Sequence, residues 1–336
     1  MLSAEQPLYL RLPCGYDAEE MKLLVTGGAG FVGSHFVRTV LADALPGLEK
    51  ARVTVLDKVA HGRFDNLGPV AENKRLDFIP GDICDAALVD SAVRDADAIV
   101  HAAAESHVDQ PVMTPAGYAM TNLIGTQVLL AAALRHGTPR FLHVSADEVY
   151  GPIDTGAWTE RSPLAPDSLY AATKAGSDLL ALAYHRTHGL PVVVARCAEA
   201  YGPYQHPDKP VPSLVTRLLR GLPVDDVEGG QVRDWVHVDD LCRGLALALT
   251  DGAAGETYHI GGVIELSHRD VAGHVLELFG ADPTEPAGGA HHPRFVLDDD
   301  KIRRDLGYRP RVEFVDGLAA TVQWYRDHEE WWRPLV

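Results

Sequence analysis

The sequence predicts an α/β fold, a doubly wound parallel sheet with a smaller α/β C-terminal domain, on three observations. Short β-type runs alternate with helical patterns through the first half of the chain. Those runs are nearly continuous apolar stretches, as expected when both faces of a sheet are covered. After about residue 198 the regularity stops and Pro and Gly become denser (Gly202, Pro203, Pro207, Pro210, Pro212). The chain's 336 residues, against roughly 150 per domain, also suggest about two domains.

In chain order, residues 1–20 read as an N-terminal arm, with neither the basic start nor the long apolar run of a signal peptide. The domain proper begins near Met21. Its expected strands are Lys22–Thr26, Arg52–Leu56, Leu76–Ile79, Ala98–Ala102, Phe141–Val144 and Val192–Arg196. Amphipathic segments near 31–44, 85–95, 113–135 and 168–188 separate them. Residues 21–197 therefore form the sheet domain, and 232–260 is expected to return to it through Arg233–Asp239 and Gly255–Ile260. Residues 198–231 and 261–332 make up the second domain, which is expected to bind substrate.

Hydrophobic residues make up 46% and charged residues 23%, enough for a packed core. Lys plus Arg number 30 against 47 Asp plus Glu, a net charge of −17, which argues against nucleic-acid or anionic-membrane partners. Purely apolar stretches such as Val128–Leu134 fall far short of the ~18 residues of a membrane span. Cys14, Cys84, Cys197 and Cys242 are scattered and form no CxxC pair. Neither a disulfide framework nor a zinc site is expected, and a reducing cytoplasm suits the chain best.

Directly after the first strand comes Thr26-Gly27-Gly28-Ala29-Gly30-Phe31-Val32-Gly33, opening a helix. Gly27, Gly30 and Gly33 permit a tight turn, close approach to a pyrophosphate, and close packing of helix on strand. The helix N-terminus would hold the anion. Such loops also serve as plain turns, but here a strand precedes, a helix follows, and Asp57 closes the second strand. A carboxylate there accepts hydrogen bonds from a ribose and repels a 2′-phosphate, so this is a Rossmann-type dinucleotide site favouring NAD. Nearby Lys58 and Arg63 work in the other direction.

Two more features fall where such a sheet places chemistry. Ser145-Ala146-Asp147-Glu148-Val149-Tyr150 follows the fifth strand, and Tyr170-Ala171-Ala172-Thr173-Lys174 opens a helix. Residues four apart share a helix face, so Tyr170 and Lys174 point the same way. An ammonium beside the phenol is expected to lower its pKa and make it a usable base. Alone, the pair also reads as a partly buried tyrosine beside a solvated lysine, and Asp147-Glu148 as a solvated acidic turn.

With these residues in place, the chain from Met21 to about Trp332 resembles the extended short-chain dehydrogenase/reductases, and within them the dTDP-glucose 4,6-dehydratase family. The resemblance rests on the glycine loop, His101-Ala-Ala-Ala-Glu-Ser-His-Val-Asp109, Asp147-Glu148 and Tyr170/Lys174. Tyr201-Gly-Pro-Tyr-Gln-His-Pro-Asp-Lys209, Arg233-Asp-Trp235 and Tyr258-His-Ile-Gly-Gly262 extend it. It implies a nucleotide-diphosphate sugar substrate oxidised at C4, eliminated across C5–C6 and reduced at C6, with NAD regenerated each turnover. Tyr170 and Lys174 would serve the oxidation, Glu148 would act as base and Asp147 as acid.

The same resemblance implies NAD contacts from Gly27, Gly30, Phe31, Val32, Gly33, Asp57, Lys58, Asp82, Ile83, Ala102, Ala104, Tyr170 and Lys174. For the sugar nucleotide it implies Ser106, His107, Ala146, Glu199, Lys209, Arg233, His259, His291 and Arg294. It also implies a homodimer built through a four-helix interface, fitting the excess apolar surface of the helices near 113–135 and 168–188.

Four places depart from the family pattern. Ala146 stands for a Thr, and the lost hydroxyl removes an orienting contact of ~1–3 kcal/mol. Glu199 lies where Ser-Asn-Asn is usual and brings an anion toward a diphosphate. Gln110 replaces an Arg, and Ala287-Gly-Gly-Ala-His-His-Pro-Arg-Phe295 keeps only His291 and Arg294 of its charged pattern. His291-His292 lacks ligand partners and reads as a loop pair, so no metal is expected. These changes suggest intact redox machinery with an altered substrate or product. Another reaction through a 4-keto sugar (epimerisation, decarboxylation or 5,6-dehydration), or an NAD-binding homologue with impaired turnover, stays open.

Overall fold

A computed structural model describes residues 21–60, 62–106, 115–224, 230–281 and 293–336. The chain opens β1 (Lys22–Thr26), α1 (Phe31–Leu41), β2 (Arg52–Asp57), β3 (Leu76–Pro80), α2 (Ala86–Val93) and β4 (Ala98–His101). A long helical stretch follows as α3 (Pro115–Tyr118), a π-helical segment (Ala119–Gly125) and α4 (Thr126–His136). Next come β5 (Phe141–Ala146), α5 (Leu169–His188) and β6 (Val192–Cys197). The remainder runs β7 (Glu199–Tyr201), α6 (Pro210–Leu219), β8 (Val232–His237), α7 (Val238–Asp251), β9 (Thr257–Ile260), β10 (Ile264–Ser267) and α8 (His268–Leu278). It closes with β11 (Arg294–Phe295), α9 (Asp300–Leu306), α10 (Phe314–Asp327) and α11 (Glu329–Trp332).

Seven parallel strands form the main sheet in the order β3-β2-β1-β4-β5-β6-β9. The winding direction reverses between β1 and β4, which opens a crevice at the carboxyl ends of those strands, where such sheets bind ligands. One core layer packs Phe36 and Val37 of α1 with Leu241 and Leu245 of α7; another joins Val89 of α2 to Leu129 and Leu130 of α4 and Ala181 of α5. The helical stretch Ala116–His136 is long and apolar enough to cross a membrane, yet half of its most apolar window is buried inside the fold.

A smaller sheet in the order β10-β8-β11, with β7 also on β8, carries its own core around Trp235, Tyr325 and Trp332. Here one expectation needs correcting. Arg233–Asp239 does not join the main sheet: β8 ends at His237 and lies at the centre of the small sheet, paired with β7 in parallel and β10 antiparallel. An apolar run states that a strand is buried, but not against which neighbour. Only after β8 does the chain return, placing α7 against α1 and β9 beside β6.

Candidate active site

The glycine loop is built for close approach. Gly27 sits at φ +72°, and a Cβ there would stand 2.6 Å from the Ala103 backbone; on Gly33 it would meet the Gly27 carbonyl at 2.2 Å. No side chain caps α1 at Gly30, which leaves its first-turn amides for an anion. Asp57 accepts from the amides of Ala29 (2.9 Å) and Val59 (2.7 Å), which aims its carboxylate beside the loop. These features fit the diphosphate and ribose of a dinucleotide.

The cations near Asp57 are already committed. Lys58 Nζ lies 2.5 Å from Glu105 and 3.7 Å from Asp82, while Arg63 binds Asp65 at 2.5 Å. A 2′-phosphate would meet Asp57 and no uncommitted cation from this pair, which favours NAD. Glu105, almost fully buried inside the His101–Asp109 motif, also lines the cleft and has no place among the site residues the sequence implies.

A cleft of about 770 Å³ joins this loop to the second domain. It is lined by Gly27, Gly30, Phe31, Val32, Gly33, Asp57, Lys58, Asp82, Ile83, Ala102 and Ala104, and also by Ser106, Ala146, Asp147, Glu148, Tyr170, Lys174, Glu199 and Lys209. Their convergence has local causes. β5 ends at Ala146, and the next turn, the 3₁₀ segment Asp147–Tyr150, puts both carboxyls beyond the strand. The Ser168 hydroxyl caps α5 by accepting from the Ala171 amide, which sets Tyr170 in the first turn and Lys174 one turn later.

The carboxyls of Asp147 and Glu148 occupy different environments. Asp147 is buried, and its pKa is pushed up to about 8 by that burial, against the lowering pull of Arg233 and with Glu148, Glu199 and Asp234 adding to the rise. Glu148 is partly exposed and accepts from Arg233 Nη2 at 3.0 Å. Arg233 Nη1 stands 3.5 Å from Asp147 Oδ2 without hydrogen-bond geometry, and the guanidinium lies 4.0 Å over the Phe295 ring. Arg233, expected to meet substrate, is thus set on the acid pair.

Tyr170 departs from expectation in its charge. Its pKa is raised well above the ordinary value, first by burial and then by Glu148, Asp147, Glu199 and Cys197. The Lys174 ammonium instead donates to the Val144 carbonyl at 2.7 Å. Burial, with the nearby carboxyls adding to it, keeps the phenol protonated in the chain alone. The Tyr170 hydroxyl and the Glu199 carboxylate have no hydrogen-bond partner among the described residues.

Two expected substrate residues lie elsewhere. His259 is fully buried on β9, bonded to Tyr150 Oη (2.6 Å) and the Asp298 carbonyl (2.8 Å), and burial drops its pKa to about 3. It is a neutral core histidine. Arg294 does not line the cleft; on β11 it pairs with Glu265 at 2.5 Å. Lys209 lines the cleft but also donates to the Ser106 carbonyl at 3.0 Å. His107, Gln110, His291 and His292 lie outside the described residues. The hydrogen bond between Asn66 and Trp331 carries no sequence signal beyond the residue types.

Comparison with known proteins agrees with this geometry. Residues 24–321 match the family model described as GDP-mannose 4,6 dehydratase. A dTDP-glucose 4,6-dehydratase from Streptomyces niveus is 52% identical over 324 residues, 94% of this chain and 96% of that protein. DesIV, the dTDP-glucose 4,6-dehydratase of Streptomyces venezuelae solved with NAD bound, is 54% identical over 94% of this chain and 100% of that one, with a TM-score of 0.88. The dTDP-glucose 4,6-dehydratase of Bacillus anthracis in complex with NAD gives 38% identity, the same coverage and a TM-score of 0.85.

Proposed function

The chain belongs to the GDP-mannose 4,6-dehydratase family and is an NAD-dependent nucleotide-sugar 4,6-dehydratase; we propose that it converts a dTDP-glucose-like substrate to its 4-keto-6-deoxy sugar. The observation that carries the residue assignment is the unlike environment of adjacent carboxyls: a buried, protonated Asp147 beside a solvent-reaching Glu148.

The glycine loop and Asp57 would hold NAD, which would take the C4 hydride and return it to C6 and, in its oxidised form, would carry a positive charge. A cation bound there would favour the Tyr170 phenolate against the burial and carboxyls that keep it protonated. Tyr170 takes the proton of the sugar 4-hydroxyl as C4 becomes a ketone. The ketone acidifies C5–H, which Glu148 removes. Asp147 gives its proton to the 6-hydroxyl, which leaves as water. C6 is then reduced, and Glu148 returns a proton to C5. Arg233 fixes the Glu148 carboxylate, and Glu199 helps keep Asp147 protonated.

Sugar nucleotide deuterated at C4 checks the reaction. The label is expected at C6 of the product. Label retained at C4, as in epimerisation, 5,6-dehydration or C4 reduction, would overturn this reading, as would no turnover at all.

The assembly proposed is a homodimer. Met120 and Ile124 on the helix leading into α4, and Leu169 and Leu179 on α5, are apolar and about half exposed or more, while α4 and α5 pack on each other. Two copies covering this face would form four helices. Leu179→Glu is expected to shift the sedimentation coefficient from dimer to monomer; an unchanged dimer would refute this interface. The compartment proposed is the cytoplasm, where Cys84, Cys197 and Cys242, all free thiols here, stay reduced.

A further inference from the structure

The short helix α11 reaches back to the cofactor side of the cleft. Trp331 lines that cleft and is nearly buried. Its indole Nε1 donates to Asn66 Oδ1 at 2.9 Å, and Asn66 Nδ2 in turn donates to the Ala29 carbonyl, inside the glycine loop, at 2.8 Å. The Asn66 carbonyl accepts from Arg38 of α1 at 2.5 Å, and Asn66 itself is almost fully buried. The indole, the amide and the loop form one hydrogen-bonded chain.

The other side of Trp331 meets the substrate domain. Its ring contacts Tyr204 edge-on at 5.6 Å and Trp324 at 5.2 Å. Tyr204 holds a left-handed backbone, φ +68°, with the Arg38 guanidinium 4.1 Å over its ring and Trp324 4.4 Å away. A non-glycine residue keeps such a conformation only when its surroundings enforce it. The following residues Gln205, His206 and Lys209 line the cleft. One indole therefore ties the phosphate-binding loop to the segment facing the substrate.

We propose that Trp331 is a positioning residue that retains NAD, acting through Asn66 on the glycine loop. The proposal rests on the dehydratase reading above. In that reaction the hydride taken from C4 must return to C6 of the same sugar, so a cofactor lost in mid-cycle strands the unsaturated ketone. A clamp on the loop from the far end of the chain lengthens the residence of the dinucleotide without touching the reacting atoms.

The test uses the full-length protein and NAD itself. Trp331→Phe keeps an aromatic ring but removes the N–H donor. Asn66→Ala breaks the same link from the other side and stands in should the first variant fold poorly. NAD dissociation is followed by dilution into an NAD-consuming trap, with thermal denaturation alongside. Each variant is expected to release NAD roughly tenfold faster, the scale of one lost hydrogen bond, and to need added NAD for sustained turnover. The double variant should release it no faster than the worse single one, because both break one chain. Release at the wild-type rate, or single effects that multiply in the double variant, would overturn the proposal. Wild-type protein that holds no NAD would instead overturn the cofactor reading, and this proposal with it.

Discussion

Asp147→Asn is expected to slow turnover by about 10²- to 10⁴-fold, the usual worth of a positioned general acid, while leaving C4 oxidation possible. Asn matches Asp in size, so the buried site should keep its packing, but the proton for the 6-hydroxyl is gone. Single-turnover mixing should then show reduced nicotinamide and a 4-keto sugar accumulating, because elimination fails after oxidation succeeds. A variant that eliminates water at the wild-type rate would remove Asp147 from the mechanism. The pH dependence follows from the same geometry. With its pKa raised to about 8 by burial and neighbouring carboxyls, Asp147 is protonated below that pH and ionised above it. An acid must hold its proton, so the elimination rate should fall as pH rises through about 8. Glu199→Gln removes one of the neighbours that raise this pKa, and should move the alkaline limb to lower pH. A limb unmoved in Glu199→Gln would leave Glu199 without the part assigned to it.

Tyr170→Phe should fail one step earlier. Without the hydroxyl nothing takes the 4-OH proton, and a loss of about 10²- to 10⁴-fold is expected with no reduced nicotinamide formed. The contrast between the two variants separates oxidation from elimination; accumulation of the 4-keto sugar in Tyr170→Phe would contradict the assignment. Burial and the surrounding carboxyls also make a prediction about the cofactor-free protein. The difference titration of wild type against Tyr170→Phe should show no tyrosinate from this residue below its ordinary pKa of 10.0. Ionisation near neutrality without NAD would mean that Lys174 alone suffices as the countercharge.

The sheet was legible because its strands declare themselves. Leu23–Thr26 and Val192–Cys197 are short stretches buried on both faces and Arg52–Asp57 is half-buried, as a covered parallel sheet requires. The chemistry was legible where it is local: a glycine loop between strand and helix, two adjacent carboxyls after a strand, a Tyr and Lys one helical turn apart. Composition had no way to anticipate the charge state of Tyr170. That follows from burial first and then from Glu148, Asp147 and Glu199, which arrive from two different strand ends.

The sequence by itself therefore determined the doubly wound fold and the glycine loop between strand and helix, each by spacing within one or two elements, while the catalytic roles proposed for Asp147, Glu148, Tyr170 and Lys174 came from its resemblance to the dehydratase family. Tertiary structure alone decided the rest. It put β8 in the small sheet, turned Arg233 onto the acid pair, buried His259 against Tyr150, turned Arg294 to Glu265, and brought Trp331 to Asn66 across most of the chain. The physical reason is common to all five. Backbone periodicity and turn chemistry act over a few residues, whereas a strand's neighbour or a buried polar group's partner is chosen by packing between segments far apart in sequence.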